Sequence, residues 1–225
     1  MSELIVRRYV PFLKTILTPK RLEHSLGVMQ VMGELAEVYA LHRETSLTTG
    51  LLHDAAKDLT SAQQTEIVLE AGIEIRHECE LDYSHYLHGP VGAFVVQHRL
   101  GIADHLILDA IRTHTYYGTV AAFGAPLCWC LRFADILEPA RDWNGVRWLR
   151  NGVSRLQEAV YAGRMAEGAF LQTGWLIKWF GEDGVPVHPN MVRVYQELSV
   201  ASGADDSFLE QESRSKSFRA ILPRH

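Results

Sequence analysis

Little in this 225-residue chain departs from an ordinary globular protein, and what is scarce in it already sorts the possibilities. Cysteine is rare. Cys79, Cys128 and Cys130 are an odd number, and Cys128-Trp129-Cys130 lacks the two intervening residues of redox and zinc motifs. That excludes a disulfide framework and reads as buried free thiols in a reducing compartment. Long apolar runs are absent as well: nothing approaches the ~18 uncharged apolar residues of a spanning helix, and MSELIVRRYVPFLK at the start lacks the apolar run of a signal peptide. A cytoplasmic protein with no membrane partner is the expectation. Excess charge is missing too. The formal net charge of -5 supplies no general attraction to nucleic acid or anionic lipid, so a polyanionic substrate would have to be gripped locally.

Alternating β-branched and polar residues are also nearly absent, whereas helical periodicity recurs along the chain. The reading is all-α. After Pro19 one helix carries Leu22, Leu26, Met29 and Ala36 on one stripe and His24, Val28, Val31, Leu35 and Val38 on another, which places it centrally. Further helices are expected over Leu47 to Leu59 with Ser46 as cap, and from Thr60-Ser61 to the stop at Gly72. Others should run from Gly89 to Leu100 with Gly101 as C-cap, Ala103 to Thr115, Pro126 to Glu138 and Val146 to Ala162, with Asn190 capping a short helix. Gly72 to Tyr86 reads as an irregular loop and a lid. Residues 1–200 read as one domain, and 201–225 as a polar tail.

Chemistry enters with His53-Asp54 inside the apolar segment LTTGLLHDAAKDL, where a helix would bring Lys57 to the same face. A carboxylate buried there needs a cation, which either Lys57 or a metal could supply. His24 heads an apolar stripe, His114 ends the stripe Ile107, Ala110 and Ile111, and Asp135 lies on the Cys128/Leu131 face of its helix. Singly, each is explained by a hydrogen bond in the core. Jointly, on separate apolar helices, they point to a shared ligand. His88, opening HGPVGA, completes the set, with His85 a competitor three residues earlier. Nitrogen and oxygen donors in this number exceed what one tetrahedral ion needs and suit one or two first-row divalent ions, iron or manganese, better than calcium. Lys57 and Arg141 are the candidate phosphate contacts, against the plainer readings of Lys57 paired with Asp58 or Asp54 and Arg141 with Glu138. Tyr116 and Tyr117 either stack a base or pack.

The words RLEHSLGVM (21–29), GLLHDAAKDL (50–59), HGPVGA (88–93), AIRTHTYYG (110–118), FADILEPAR (133–141) and GVRWLR (145–150), in this order, resemble the YqeK family of HD-superfamily proteins, which are similar to symmetrical diadenosine tetraphosphate hydrolases. The resemblance covers about residues 10 to 165. It implies an HD-domain helical bundle around a central metal site. His24, His53, Asp54 and Asp135 would hold one ion, and Asp54 would bridge to a second held by His88 and His114. It further implies cleavage of a dinucleoside tetraphosphate into two nucleoside diphosphates; Asp54 and Lys57 are the candidate catalytic residues, Lys57 as the cation nearest the phosphate. Two readings compete: an HD-type phosphatase of nucleoside monophosphates or other small phosphate esters, and a non-catalytic regulator that binds metal and nucleotide. One departure stands out, since the family carries threonine-glycine after the histidine matching His114, whereas this chain has Thr115-Tyr116-Tyr117-Gly118. Beyond residue 165 nothing matches, and that region reads as a lineage-specific cap or as the contact of a homodimer.

Overall fold

The computed structural model describes residues 2–118, 124–141 and 147–202. Among them are eleven α-helices, one 3₁₀ turn at Ser84–Tyr86, and no strand. They form two compact units. One comprises Met1–Arg76 with Ser84–Arg141, the other His77–Tyr83 with the residues from Asp142 on. The tail beyond 202 lies outside the described residues.

In the first unit the central element is α2, Pro19–Val38. Thr18 caps it by accepting from the Arg21 amide, and Pro19 at the first turn costs no hydrogen bond. Val28 and Leu35 of its second stripe, and Met32 beside them, are completely buried, because the helix packs against both α3 (Arg43–Leu52) and α8 (Pro126–Leu137). Helices α2 and α3 approach closely at Gly50. A Cβ at Gly50 would stand 2.9 Å from the Met29 Cα, so only glycine lets the two backbones meet there. That crossing sets His53 beside His24.

Helix α3 differs from expectation. It starts earlier, with His42 as N-cap, and stops at Leu52. Residues 53–59 then turn tightly through three-residue hydrogen bonds such as Lys57 N–H to Asp54 O at 2.9 Å. Ser46 therefore lies inside the helix, and Lys57 follows Asp54 in a turn, not along a helix face. The Thr60/Gln63 capping box and the left-handed Gly72 bound α4, Ser61–Ala71, as the sequence implied. Helix α6, His88–Leu100, ends on left-handed Gly101, and α7, His105–Thr113, is capped by Asp104. These two also touch through glycine: a Cβ on Gly89 would meet the Thr115 hydroxyl at 2.6 Å and the Arg112 carbonyl at 2.8 Å. The first unit also holds α1, Ser2–Leu13, a helix not among those expected, with Pro11 inside it.

The second unit contains one helical turn, α5 (Cys79–Asp82), within the segment expected to be irregular. It also holds α9 (Arg147–Tyr161), α10 (Met165–Asp183) and α11 (Pro189–Ser202). Helix α10 was not anticipated, and α11 is longer than the short helix expected at Asn190. Val146, read as the start of α9, falls outside the described residues.

Candidate metal centre

All six proposed ligands lie in the first unit, and their side chains converge. His24 comes from the second turn of α2, and His53-Asp54 from the C-terminus of α3. His88 opens α6, His114 closes α7, and Asp135 lies in the last turn of α8. They fall into two groups that could each hold an ion, His24 with His53 and Asp135, and Asp54 with His88 and His114. Asp54 faces both. Its Oδ1 lies 3.2 Å from His88 Nε2 and 3.7 Å from His114 Nε2. Its Oδ2 lies 3.5 Å from His53 Nε2 and 3.7 Å from His24 Nε2.

The tautomers explain why such a cluster wants a cation. Each histidine turns Nδ1 towards an oxygen that can only accept: Glu138 Oε1 for His24 at 3.0 Å, Gly50 O for His53 at 2.8 Å, Ile111 O for His114 at 2.6 Å, and His85 O for His88. Nδ1 must therefore carry the proton, and a neutral ring presents a lone pair at Nε2. His88 Nε2 and His114 Nε2 stand 2.9 Å apart, an arrangement of two lone pairs that repels unless a cation lies against both. Nε2 of His24 and of His53 are buried without a hydrogen-bond partner. These donors fit a first-row divalent ion.

Electrostatics agree. Burial opposes the charge on Asp54, yet His53, His114, His88 and Lys57 together hold its carboxyl well below the usual range. Asp135, also opposed by burial, is held low by Arg141, His24 and His53. Burial drives His53 down to about 4 and, with the Lys57 charge, His88 down to about 3, so both rings stay neutral and able to ligate near pH 7. His24 moves the other way: burial lowers it, but Asp135 and Glu138 raise it more.

The cations are placed differently from the simple pairings considered above. Lys57 Nζ lies 3.4 Å from His88 Nδ1 and 3.5 Å from His88 Nε2. Burial lowers its pKa while Asp54 and Asp135 pull it back up. Arg141 pairs through Nη2 with Asp135 Oδ1, with Glu138 acting on it as a further nearby charge. The ion pair to Asp54 belongs to Arg21, whose Nη1 is 2.9 Å from Oδ2. Arg21 and Glu138 were both missed. Same-face spacing could have found them, since Arg21 precedes His24 by three residues and Glu138 follows Asp135 by three. A third omission is Arg132, which is buried, donates to the Thr113 carbonyl and lies 4.9 Å over the Tyr116 ring.

His85 contributes its backbone carbonyl to His88 and is itself exposed. Tyr116 and Tyr117 are buried, and the Tyr117 hydroxyl donates to the Glu74 carbonyl at 2.7 Å, so packing is the reading that holds. Tyr116 adopts a φ of 65°, the left-handed conformation that glycine takes without strain, at the position where the family pattern has its glycine. An open depression of about 800 Å³ between Arg76, Phe94, Arg112 and Tyr117 contains none of the six residues.

A helical bundle that aims four histidines and two carboxylates from separate helices into one buried cluster defines a metal-dependent hydrolase of the HD class. The chain belongs to the HD-domain family: the family model described as HD domain matches residues 21–142. It is of the YqeK type of phosphohydrolase. It is 27% identical over 191 residues, covering 82% of this chain and 92% of the relative, to a symmetrical bis(5'-nucleosyl)-tetraphosphatase of Halalkalibacterium halodurans. It is 34% identical to the symmetrical bis(5'-nucleosyl)-tetraphosphatase of Bacillus subtilis, over 61% of this chain and 71% of that one. Among solved structures, one from Clostridium acetobutylicum, described as a predicted HD superfamily hydrolase involved in NAD metabolism, superposes with a TM-score of 0.76 at 27% identity. The match covers 89% of this chain and 98% of that one.

Proposed function

We propose that this protein hydrolyses a dinucleoside tetraphosphate, diadenosine tetraphosphate above all, by adding water across the central P–O–P link to release two nucleoside diphosphates. The observation that carries the reading is Asp54, whose two oxygens face separate histidine pairs, on a chain similar to symmetrical tetraphosphatases. His24, His53, Asp54, His88, His114 and Asp135 would hold one or two divalent ions, with iron or manganese matching the donor set. Such ions supply Lewis-acid polarisation of phosphoryl oxygens and lower the pKa of water.

The protein's own groups supply position and charge, the main demands of phosphoryl transfer. Glu138 and the Gly50, His85 and Ile111 carbonyls hold the four rings with Nε2 inward. Lys57, partly buried beside His88, is placed to neutralise charge on the departing diphosphate, and Arg141 to bind a phosphate oxygen from its seat on Asp135. The buried free thiols suit the reducing cytoplasm, and no helix among the described residues is long and apolar enough to cross a membrane. A homodimer belongs to the same proposal, and sedimentation measures it.

The test is product analysis with anaerobically purified protein of measured iron and manganese content. Two ADP per diadenosine tetraphosphate is the expected outcome. ATP with AMP, or inorganic phosphate, would overturn the reading.

A further inference from the structure

Around Asp54 the fixed charges nearly cancel. Four carboxylates, Asp54, Asp135, Glu138 and Asp58, face three cations, Arg21, Lys57 and Arg141, while histidines protonated at Nδ1 alone add nothing. A buried cluster of this kind is tolerable only near balance. Two divalent ions would add four positive charges and leave it strongly positive, the complement of a tetraphosphate. With metal bound, the cluster becomes a receptor for polyanions. Without it, the cluster offers them no net positive charge.

Arg21 is the cation placed to respond to the change. Its Nη1 sits 2.9 Å from Asp54 Oδ2, the oxygen that faces His24 and His53, where an ion would bind. It is held firmly at one end only: Nε is buried with no hydrogen-bond partner, and its ion pair to Asp58 Oδ1 is long, at 3.7 Å, while Asp58 Oδ2 accepts from the Thr18 amide and hydroxyl. An arginine with an unsatisfied Nε–H beside a metal-ligating oxygen is half engaged, and its fork matches an anion with several oxygens.

We infer that Arg21 is the resident counter-ion of the metal-free site: it holds Asp54 charged and in place, yields Oδ2 to the ion, and then turns Nε and Nη towards the polyphosphate. Metal and polyphosphate binding are thereby coupled through one side chain, and the coupling is reciprocal. The inference rests on the assignment of the six residues as ligands.

Calorimetry on the full chain tests it, with manganese as the metal and methylenediphosphonate, which resists hydrolysis, as the anion. The wild type should bind the diphosphonate only when loaded with manganese. Arg21→Met, which keeps length and loses charge, should bind manganese about 10-fold more tightly, because no cation competes for Asp54, and the diphosphonate about 10-fold more weakly, a coupling within the usual range for linked sites. Its metal-free melting temperature should fall while the rise on adding manganese grows. Arg21→Lys should restore most of the wild-type behaviour.

Loss of manganese affinity in Arg21→Met, together with an equal drop in melting temperature with and without metal, would make Arg21 merely structural and overturn the inference. Unchanged manganese and diphosphonate affinities would overturn it equally. A wild type that takes up no manganese or iron at all would instead defeat the ligand assignment beneath it.

Discussion

Two buried carboxylate–histidine pairs make an instructive contrast, one in each unit. In the first, Glu138 Oε1 holds His24 Nδ1 at 3.0 Å. In the second, Glu80 Oε1 holds His188 Nε2 at 2.9 Å. Both histidines are buried, and so are both glutamates. The difference lies in the other ring nitrogen. His188 Nδ1 accepts the Asn190 backbone N–H at 3.1 Å, so the ring is satisfied on both sides. His24 Nε2 has no hydrogen-bond partner and points at two carboxylates. The same pair of side chains is structural where all valences close, and part of a site where one is left open. Burial alone does not tell the two apart.

The sharpest way to break that contrast is to remove the group shared by both halves of the first cluster. Asp54→Ala should lower turnover by at least about 1,000-fold and reduce bound metal, because it removes a ligand from one group and the carboxylate oxygen that faces the other, and leaves Arg21 without its close partner. His188→Ala should leave metal content and turnover intact and lower the melting temperature, since a buried Glu80 loses one of its partners, at a cost of up to about 3–5 kcal/mol. Metal analysis, kinetics and thermal melting on the same preparations check both. Full activity in Asp54→Ala would end the metal-centre assignment.

Next in size is Lys57→Ala. A cation that strengthens its contact as charge develops acts on the transition state, so kcat/KM should drop ~10–1,000-fold with metal content retained. The structure adds a reason to expect that separation: Arg21, not Lys57, carries the ion pair to Asp54. Loss of metal, melting temperature and activity in parallel would instead make Lys57 a scaffold residue.

The smallest expected effect compares the two glutamates directly. Glu138→Ala should weaken metal affinity by about 10–100-fold, the usual consequence of removing the group that orients a ligating histidine. Glu80→Ala should change stability and leave metal affinity alone. Equal effects of the two on metal titration would show that the contrast between satisfied and open rings has no functional content.

The all-helical class, the central place of α2, the capping box at Thr60 and the glycine stops at Gly72 and Gly101 were legible because they follow from local periodicity and cap chemistry. So were the six converging residues, because histidines and carboxylates on otherwise apolar helices are conspicuous, and their order matches a family pattern. What local pattern could not convey was the end of α3 at Leu52, which moved Lys57 off the helix face. That outcome depends on the Asp54 turn being held by partners far along the chain, Arg21 among them at 2.9 Å. Nor could it convey the division into two units or the helix over Met165–Asp183, where polar Gln172, Thr173 and Lys178 are buried among apolar residues and blur the amphipathic stripe.

By itself the sequence determined which residues carry charge, ring nitrogens and helical periodicity, and therefore the chemical vocabulary of this protein. Only the tertiary structure decided the pairings: Arg21 on Asp54, Arg141 on Asp135, Glu138 on His24, and four Nε2 atoms left facing inward. The physical reason is range. Caps and stripes are set by residues three or four apart, whereas a metal site needs atoms matched to within tenths of an ångström across helices, and close contacts at Gly50 and Gly89 govern that fit.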